Sequence, residues 1–277
     1  MAAFARIEQP EAAWFASDMH LDDAHPPVAA RFLGMLDAAL AAMATGPEAP
    51  CLFLLGDIFE YWIGDDHLPE AAQSLAQRLI AFSRAGGRVF VMRGNRDFLL
   101  DVPLPGRPQT TPFSVRCGGI LLPDPAVIEV AGRRIALSHG DALCTDDTRY
   151  QQWRLLSRSA AWQQQLLARP VAERLALAHS LRQQSVQAQA VTETVSDVNQ
   201  AAVDELMTQL EADLLIHGHT HRPDLHRWHR EECASAAGSL RLRWVLSDWS
   251  VDPPRGRMAP LTEAIQGLAP AANPPAG

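Results

Sequence analysis

A layered α/β fold, with α+β character, is predicted by three observations. Short apolar runs of strand length occur at 13–17, 51–56, 88–92, 134–138 and 213–217. Segments rich in Ala and Leu with helical spacing separate the first three, so the order is strand–helix–strand–helix–strand, that of a βαβ layered architecture. Side chains able to ligate a metal close the runs. They are Asp18 and His20 in WFASDMH, Asp57 in CLFLLGD, Asn95 in VFVMRGN, His139 in IALSHGD, and His217 and His219 in LLIHGHTH. Strand ends on one rim of a sheet are where open α/β folds build their sites. Converging Asp, His and Asn side chains make a hard-to-borderline donor set suited to Mn²⁺, Fe²⁺ or Zn²⁺.

Each element has a local cause. After the strand at 13–17, PPVAARFLGMLDAALAAM (26–43) opens with prolines suited to a first helical turn and is followed by Gly46-Pro47. Between the strands at 51–56 and 88–92, PEAAQSLAQRLIAFSRAGG (69–87) begins with Pro and ends with Gly, which suits a helix C-cap. Residues 101–119 are Pro- and Gly-rich and read as an irregular excursion. VIEVAGRRIALSHG has the pattern of a hairpin turning on Ala131-Gly132. LHRWHREEC and SLRLRWVLSDWS have the pattern of a second antiparallel pair. The organisation expected is one domain over 1–265, with a helical insertion at about 146–195 and a disordered, low-complexity tail over 266–277.

At 277 residues and 47% hydrophobic the chain has enough apolar material for a substantial core. A formal net charge of −8 argues against a nucleic-acid protein held by bulk phosphate electrostatics. The four cysteines, Cys51, Cys117, Cys144 and Cys233, are widely spaced with no CxxC pair, which favours free thiols in a reduced compartment. The first 18 residues lack the apolar core of a signal peptide, and no run approaches the ~18 apolar residues of a spanning helix. A cytoplasmic protein, free to rest on a membrane surface, is expected.

Asp18-Met19-His20 puts two side chains on one side of an extended strand end, and His217-Gly218-His219 does the same with two imidazoles. Gly56-Asp57 and Gly94-Asn95 each set a Gly before an oxygen ligand, a device for a tight turn leaving a strand. An isolated His at a strand end is more often structural than a ligand. Five such motifs in this order reverse that weighting.

The pattern DxH, GDxxE, GNRD, HGD, GHTH, spread over residues 14–222, resembles the calcineurin-like metallophosphoesterase superfamily. The resemblance implies a βαβ sandwich with helices flanking the sheets, and two metal ions in the usual arrangement for in-line phosphoryl displacement. Carried over, Asp18, His20, Asp57 and His219 hold one metal; Asp57, as bridge, with Asn95, His139 and His217 holds the other. Most members have His directly after the Asn, where this chain has Arg96. A histidine acid is most useful to an alkoxide leaving group. A phosphate leaving group, with a second pKa near ~6, needs little protonation, whereas arginine offers phosphate a permanent fork of donors. Arg96 therefore favours a pyrophosphate bond as substrate.

The longer strings FASDMHL, LLGDIFEYWIGDD, VMRGNRDFLL, ILLPDP, LSHGDALCTDDTRYQQWR, DVNQ and LIHGHTHRP are similar to the UDP-2,3-diacylglucosamine hydrolase family of Gram-negative lipid A biosynthesis. That likeness implies a Mn²⁺-dependent hydrolase acting on a phosphoric anhydride, with two ions per chain, cleaving at the α-phosphorus. The implied products are UMP and 2,3-diacylglucosamine 1-phosphate, and the implied place is the cytoplasmic face of the inner membrane. Asp57, Asn95, Arg96 and His139 are then catalytic. Asn95, Arg96 and His217 touch substrate phosphate, and Asp147, Ser185 and Gln189 bind the glucosamine end. The family's usual Asn stands as Gln189 here, its following Lys is absent with Arg182 the nearest cation, and residues 101–119 are longer than the family loop.

Within the insertion, Trp153, Trp162, Leu166 and Leu167 suit one apolar face and Leu175, Leu177 and Leu181 another. An ordinary helical pair packed on the core and a substrate-binding lid are both consistent with this. Arg149, Arg154, Arg158, Arg169, Arg174 and Arg182 suit either anionic lipid head groups or a solvated face. Trp62, Asp65 and Asp66 suit a site mouth or a packed Trp beside a solvated acidic turn. Cys144 lacks a base partner and reads as a packed thiol. His221 reads as a neighbour of the ligands or a surface residue, and His226 and His229 as exposed. Two rivals to the lipid pyrophosphohydrolase remain: a metallophosphoesterase acting on a soluble nucleotide pyrophosphate or phosphodiester, and a non-catalytic binding module. Seven intact ligands weigh against the last. Two apolar helical faces above the site weigh against the other.

Overall fold

The computed structural model of the chain describes residues 5–7, 12–43, 50–191, 197–229 and 240–266, without the side chains of 5, 7 and 184–191. The short strand β1 (Ala5–Ile7) precedes β2 (Ala13–Ala16), helix α1 (Pro26–Met43) and β3 (Cys51–Leu55). Then come α2 (Glu70–Arg84), β4 (Arg88–Met92), the single turn α3 (Phe113–Arg116) and β5 (Gly119–Leu121). The excursion at 101–119 is thus irregular except for α3 and the start of β5. α2 stops at Arg84, short of the predicted 87, because the chain turns at Gly86 with φ +101°.

The hairpin is β6 (Ala126–Val130) and β7 (Arg133–Leu137), with Val130 paired to Arg133. Both turn residues, Ala131 (φ 48°) and Gly132 (φ 77°), are left-handed, as a two-residue turn between twisted strands requires. Three helices follow, α4 (Thr148–Ser157), α5 (Ala160–Leu167) and α6 (Val171–Val191). The expected helical pair is therefore a trio. Ser159 caps α5 by accepting from Trp162 N, and Pro170 stands before α6. The chain closes with α7 (Gln200–Gln209), β8 (Leu214–His217), β9 (Asp224–His229), β10 (Leu240–Val245), β11 (Ala259–Pro260) and α8 (Leu261–Gln266). β9 and β10 pair antiparallel as expected. Gln266, assigned to the tail, ends α8, and the rest of the tail lies outside the described residues.

The strands form two sheets, ordered β11-β2-β3-β4-β5 and β1-β6-β7-β8-β10-β9. Alternation along each strand sends one set of side chains to each face. Phe15, Phe53 and Phe90 stack at 4.8 and 4.6 Å between the sheets, with Trp244 edge-on to Phe15 at 6.2 Å. Ile128, Ile135, Leu214 and Ile216 complete that inner core. The other faces pack on helices: Leu52, Leu54 and Val91 meet α1 and α2, while Val127, Ala136 and Leu215 meet Val203 and Met207 of α7. The result is helix, sheet, sheet, helix, a layered α/β architecture. β2, β3 and β4 run parallel to one another, and so do β7 and β8. Their C-terminal ends therefore come together on one rim.

Candidate functional site

The rim is stitched by the backbone before any side chain acts. Asp18 N donates to Gly56 O (3.1 Å), His20 N to Asp57 O (3.0 Å), and Gly218 N to His139 O (3.0 Å). Asp18, His20, Asp57, His219 and His221 all adopt φ between 47° and 68°. Left-handed backbone at non-glycine residues costs of order 1–3 kcal/mol each and clusters at functional sites. The glycines between the ligands let the loops approach this closely. A Cβ added at Gly94 would overlap the Asp57 carboxylate, and one at Gly218 the Asp18 carboxylate.

Two groups of side chains place ligand atoms within 4.8 Å of one another: Asp18, His20 and His221, and Asp18, Asp57 and His139. Asp57 lies between the two, with Oδ2 3.9 Å from His20 Nε2 and Oδ1 3.6 Å from His139 Nε2. His139 Nδ1 hydrogen-bonds Leu55 O at 3.0 Å, which leaves Nε2 toward Asp57 and the Asn95 Oδ1 at 2.9 Å. His219 joins through its backbone N on both Asp18 oxygens (3.0 and 2.9 Å) and its ring 5.2 Å from that of His139. His217 stands at the edge: Nδ1 lies 2.8 Å from Gly218 O and Nε2 3.5 Å from Arg243. His221 reaches Asp18 Oδ1 at 3.5 Å and His20 Nε2 at 3.4 Å, so it stands among the ligands although part of its ring is exposed.

Electrostatics follow from burial and crowding. Burial would raise Asp18, but a hydrogen bond from His221 and the charges of His139 and His20 hold it well below the carboxylate range. Burial opposes charge on His139, yet Asp57, Asp18 and Asp141 push it up to about 9. Burial drives His217 down to about 3, and burial with the charge of His139 drives His219 down to about 4. Buried carboxylates, an amide oxygen and the neutral imidazoles of His217 and His219 are donors that fit divalent ions, and the carboxylates that draw a proton to His139 are the same ones that would draw a cation.

Several organising residues carried no separate signal in the sequence. Asp97, the last residue of GNRD, is fully buried and accepts from Gly94 N (2.6 Å) and Ile58 N (2.8 Å), tying two ligand loops together. Burial and the neighbouring Asp57 charge push it up to about 6. Asp141 of HGD accepts from Tyr150 Oη (2.6 Å) and Arg154 Nε (2.9 Å), fixing α4 over the rim. Glu60 of GDxxE lies 3.3 Å from His20 Nδ1, and despite burial His20, Arg96 and Arg182 hold it down at about 2.

A cavity of about 760 Å³ opens beside the ligands at Asn95 and Arg96. Trp62, Phe98, Trp153, Trp162, Leu177 and Leu181 give it apolar walls, and Asp147, Arg149 and Tyr150 lie on its border. Trp153 and Trp162 meet edge to face at 5.3 Å, as one face requires, and Leu166 joins them on the cavity wall, while Leu167 turns into the core. Leu175 is half-buried and does not line the cavity. Asp147 caps α4 through Tyr150 N at 2.9 Å. Ser185 and Gln189 lie on α6, but their side chains are outside the described residues.

Four of the six insertion arginines are neither lipid-facing nor simply solvated. Arg154 and Arg158 turn to Asp141, Arg182 to Glu60, and Arg174, 2% exposed, pairs with Asp66 at 2.8 and 2.5 Å. Only Arg149 and Arg169 of the six are exposed. The acidic turn is likewise not solvated: Trp62 and Asp65 are buried and joined, Nε1 to Oδ1, at 2.8 Å. Burial pushes the Cys144 thiol up to about 12, as a packed thiol requires, and Cys51 and Cys117 are also free and buried. Cys233 lies outside the described residues. His229 is exposed, whereas His226 is half-buried, against the expectation.

The family model for calcineurin-like phosphoesterases matches residues 13–223. Among curated proteins, a UDP-2,3-diacylglucosamine hydrolase of Bordetella pertussis is 44% identical over 249 residues, covering 88% of each chain. One of Chromobacterium violaceum is 44% identical over 85% of this chain and 89% of its own. One of Stenotrophomonas maltophilia is 40% identical over 85% and 90%.

Proposed function

The chain belongs to the calcineurin-like phosphoesterase family, and from that premise we propose that it hydrolyses the pyrophosphate of UDP-2,3-diacylglucosamine. Attack at the α-phosphorus gives UMP and 2,3-diacylglucosamine 1-phosphate, a step of lipid A biosynthesis. The observation that carries this reading is the junction at Asn95 and Arg96, where the ligand cluster meets an apolar-walled cavity of about 760 Å³. A soluble nucleotide gives no reason for such walls. A lipid-linked one does, since burying each CH₂ is worth about 0.8 kcal/mol.

Asp18, His20, Asp57, Asn95, His139, His217 and His219 would hold two divalent ions, Mn²⁺ in this reading. Such ions supply Lewis acidity to phosphoryl oxygens and lower the pKa of water. Arg96 has its backbone N on Asp57 Oδ1 at 2.8 Å, and its Nε is buried without a hydrogen-bond partner among the described residues. This supports Arg96 as a fork of donors for the phosphates, with Nε still to be satisfied. The leaving phosphate needs no proton from a histidine, which accounts for Arg at this position. Asp97 and Asp141 hold the ligand loops and α4 in register. Asp147, Ser185 and Gln189 take the glucosamine end, and the insertion helices enclose the acyl chains. Nothing in this scheme uses nucleic acid.

No helix among the described residues is long and apolar enough to cross a membrane. Leu155 and Leu156 on α4 are 74% and 50% exposed, which supports a peripheral contact with the cytoplasmic face of the inner membrane. The test is an assay of Mn²⁺-loaded protein on UDP-2,3-diacylglucosamine and on UDP-glucosamine derivatives without acyl chains. Release of UMP from the lipid substrate at a much higher rate is expected. Equal rates on both, or release of UDP, would sink the proposal.

A further inference from the structure

Glu60 stands between the ligand cluster and the insertion. Its backbone N donates to Leu21 O (3.2 Å), and Leu21 N donates to Ile58 O (2.8 Å). The segment after Asp57 is thereby zipped to the strand end that carries Asp18 and His20. The Glu60 side chain, 14% exposed, uses its two oxygens differently. Oε2 lies 3.3 Å from His20 Nδ1, an ion-pair contact not yet aligned as a hydrogen bond, and Oε1 is ion-paired with Arg182 Nε of α6. The other His20 nitrogen, Nε2, lies 3.9 Å from Asp57 Oδ2, on the side where a metal would sit. Imidazole ligands commonly give their far N–H to a carboxylate, which sets ring orientation and basicity.

The same short segment is where α6 docks. Arg174 holds Asp66 and the Ile63 carbonyl, and His179 Nε2 lies 3.3 Å from Tyr61 Oη. Arg174 and Arg182 are eight residues apart, so they share one helix face, with Ala178 between them on the cavity wall. A single loop of ten residues, 57–66, thus runs from the central carboxylate of the metal site to the anchor of the insertion.

We infer that Glu60 is a positioning residue that couples the insertion to the metal centre, one oxygen orienting the His20 imidazole and the other anchoring Arg182 of α6. This rests on the reading of the rim as a metal site, not on the identity of the substrate. The coupling is reciprocal: ions that fix His20 also hold Glu60 and α6, and displacement of α6 loosens His20.

The test uses the full chain, stripped of metal and titrated with Mn²⁺ while free Mn²⁺ is followed by electron paramagnetic resonance. Hydrogen exchange over 171–183 is measured with and without the ion. In the wild type, Mn²⁺ is expected to increase protection of α6. Glu60→Gln should weaken Mn²⁺ binding by about tenfold or more and abolish that added protection. Arg182→Met leaves the Glu60–His20 contact in place. It should lose the added protection while weakening Mn²⁺ by less than Glu60→Gln does. Wild-type Mn²⁺ affinity in Glu60→Gln overturns the inference, as does Mn²⁺-dependent protection that survives in both variants. A wild type that binds Mn²⁺ and shows the coupling, yet leaves the lipid substrate intact, sinks only the substrate reading.

Discussion

Gly56→Ala tests how closely the ligand loops must pack. Gly56 sits at φ +85°, directly before Asp57, and a Cβ there would lie 2.7 Å from Gly94 Cα, Gly94 N and His139 Nδ1. Carbon atoms prefer about 3.5 Å or more, so one side must retreat by roughly 0.8 Å. The side that yields carries either Asn95, next to Gly94, or His139, whose Nδ1 contact with Leu55 O at 3.0 Å would be lost. Metal–ligand distances tolerate only about 0.2 Å, so the displacement is several times what a site accepts. A misplacement of about 1 Å costs on the order of 10²-fold in rate, or about 3 kcal/mol of transition-state stabilisation. Left-handed backbone on an alanine adds about 1–2 kcal/mol to the cost of folding. We expect kcat/KM to fall at least 10²-fold and bound Mn²⁺ to drop below two per chain, with a folded protein of lower Tm. Assays of turnover, metal content and thermal unfolding on one preparation decide it. Activity within threefold of wild type with two ions bound would refute the argument that backbone proximity builds the site.

Arg96→His restores the residue common in the wider family. It should lower turnover of the pyrophosphate by about 10²-fold if the guanidinium clamps phosphate; unchanged steady-state kinetics would make Arg96 structural. Asp65 is pushed up to about 7, first by burial and then by Asp101. Its protonated form is therefore favoured by folding, and the stability it lends is present below about pH 4 and lost as pH rises to 7. Asp65→Asn keeps an acceptor for Trp62 Nε1 and should remove that loss, by up to about 4 kcal/mol at pH 7. Parallel denaturant curves for both proteins between pH 4 and 8 would contradict it. Arg174→Met leaves Asp66 and the Ile63 carbonyl without their buried partner, for a loss of about 3 kcal/mol. Because Arg174 anchors α6, KM for the diacylated substrate should rise, and Mn²⁺ binding should weaken by less than it does in Glu60→Gln. An unchanged KM would separate the anchor from the cavity.

Much of the fold was legible because the relevant signals are local. Apolar runs named β2, β3, β4, β7 and β8 to within a residue or two, and Ala131-Gly132 named the hairpin turn. Metal-ligand types at strand ends marked the rim, since parallel strands deliver successive C-termini to one edge. The insertion reads as a pair from apolar spacing alone and is a trio because Ser159 caps α5 and Pro170 precedes α6. Its arginines differ from the sequence expectation for another reason. Arg154, Arg158, Arg174 and Arg182 look like one basic surface in sequence; Arg154 and Arg158 instead turn back 13 and 17 positions to Asp141, and Arg174 and Arg182 find Asp66 and Glu60 across the fold.

What the chain determined by itself was the chemistry: which donors exist, that each follows a strand, and that Arg96 stands where a histidine is usual. Those are properties of residue type and short spacing. Only the tertiary structure decided which donors meet, since Asp18 and His219 are 201 positions apart yet joined by a hydrogen bond of 3.0 Å. It also decided that Asp97 and Asp141 brace the loops, that Glu60 faces both His20 and α6, and that the cavity opens beside Arg96. These are long-range pairings between buried charges and backbone groups. Periodicity along a chain carries no record of them, because each is fixed by two sheets closing over a common core.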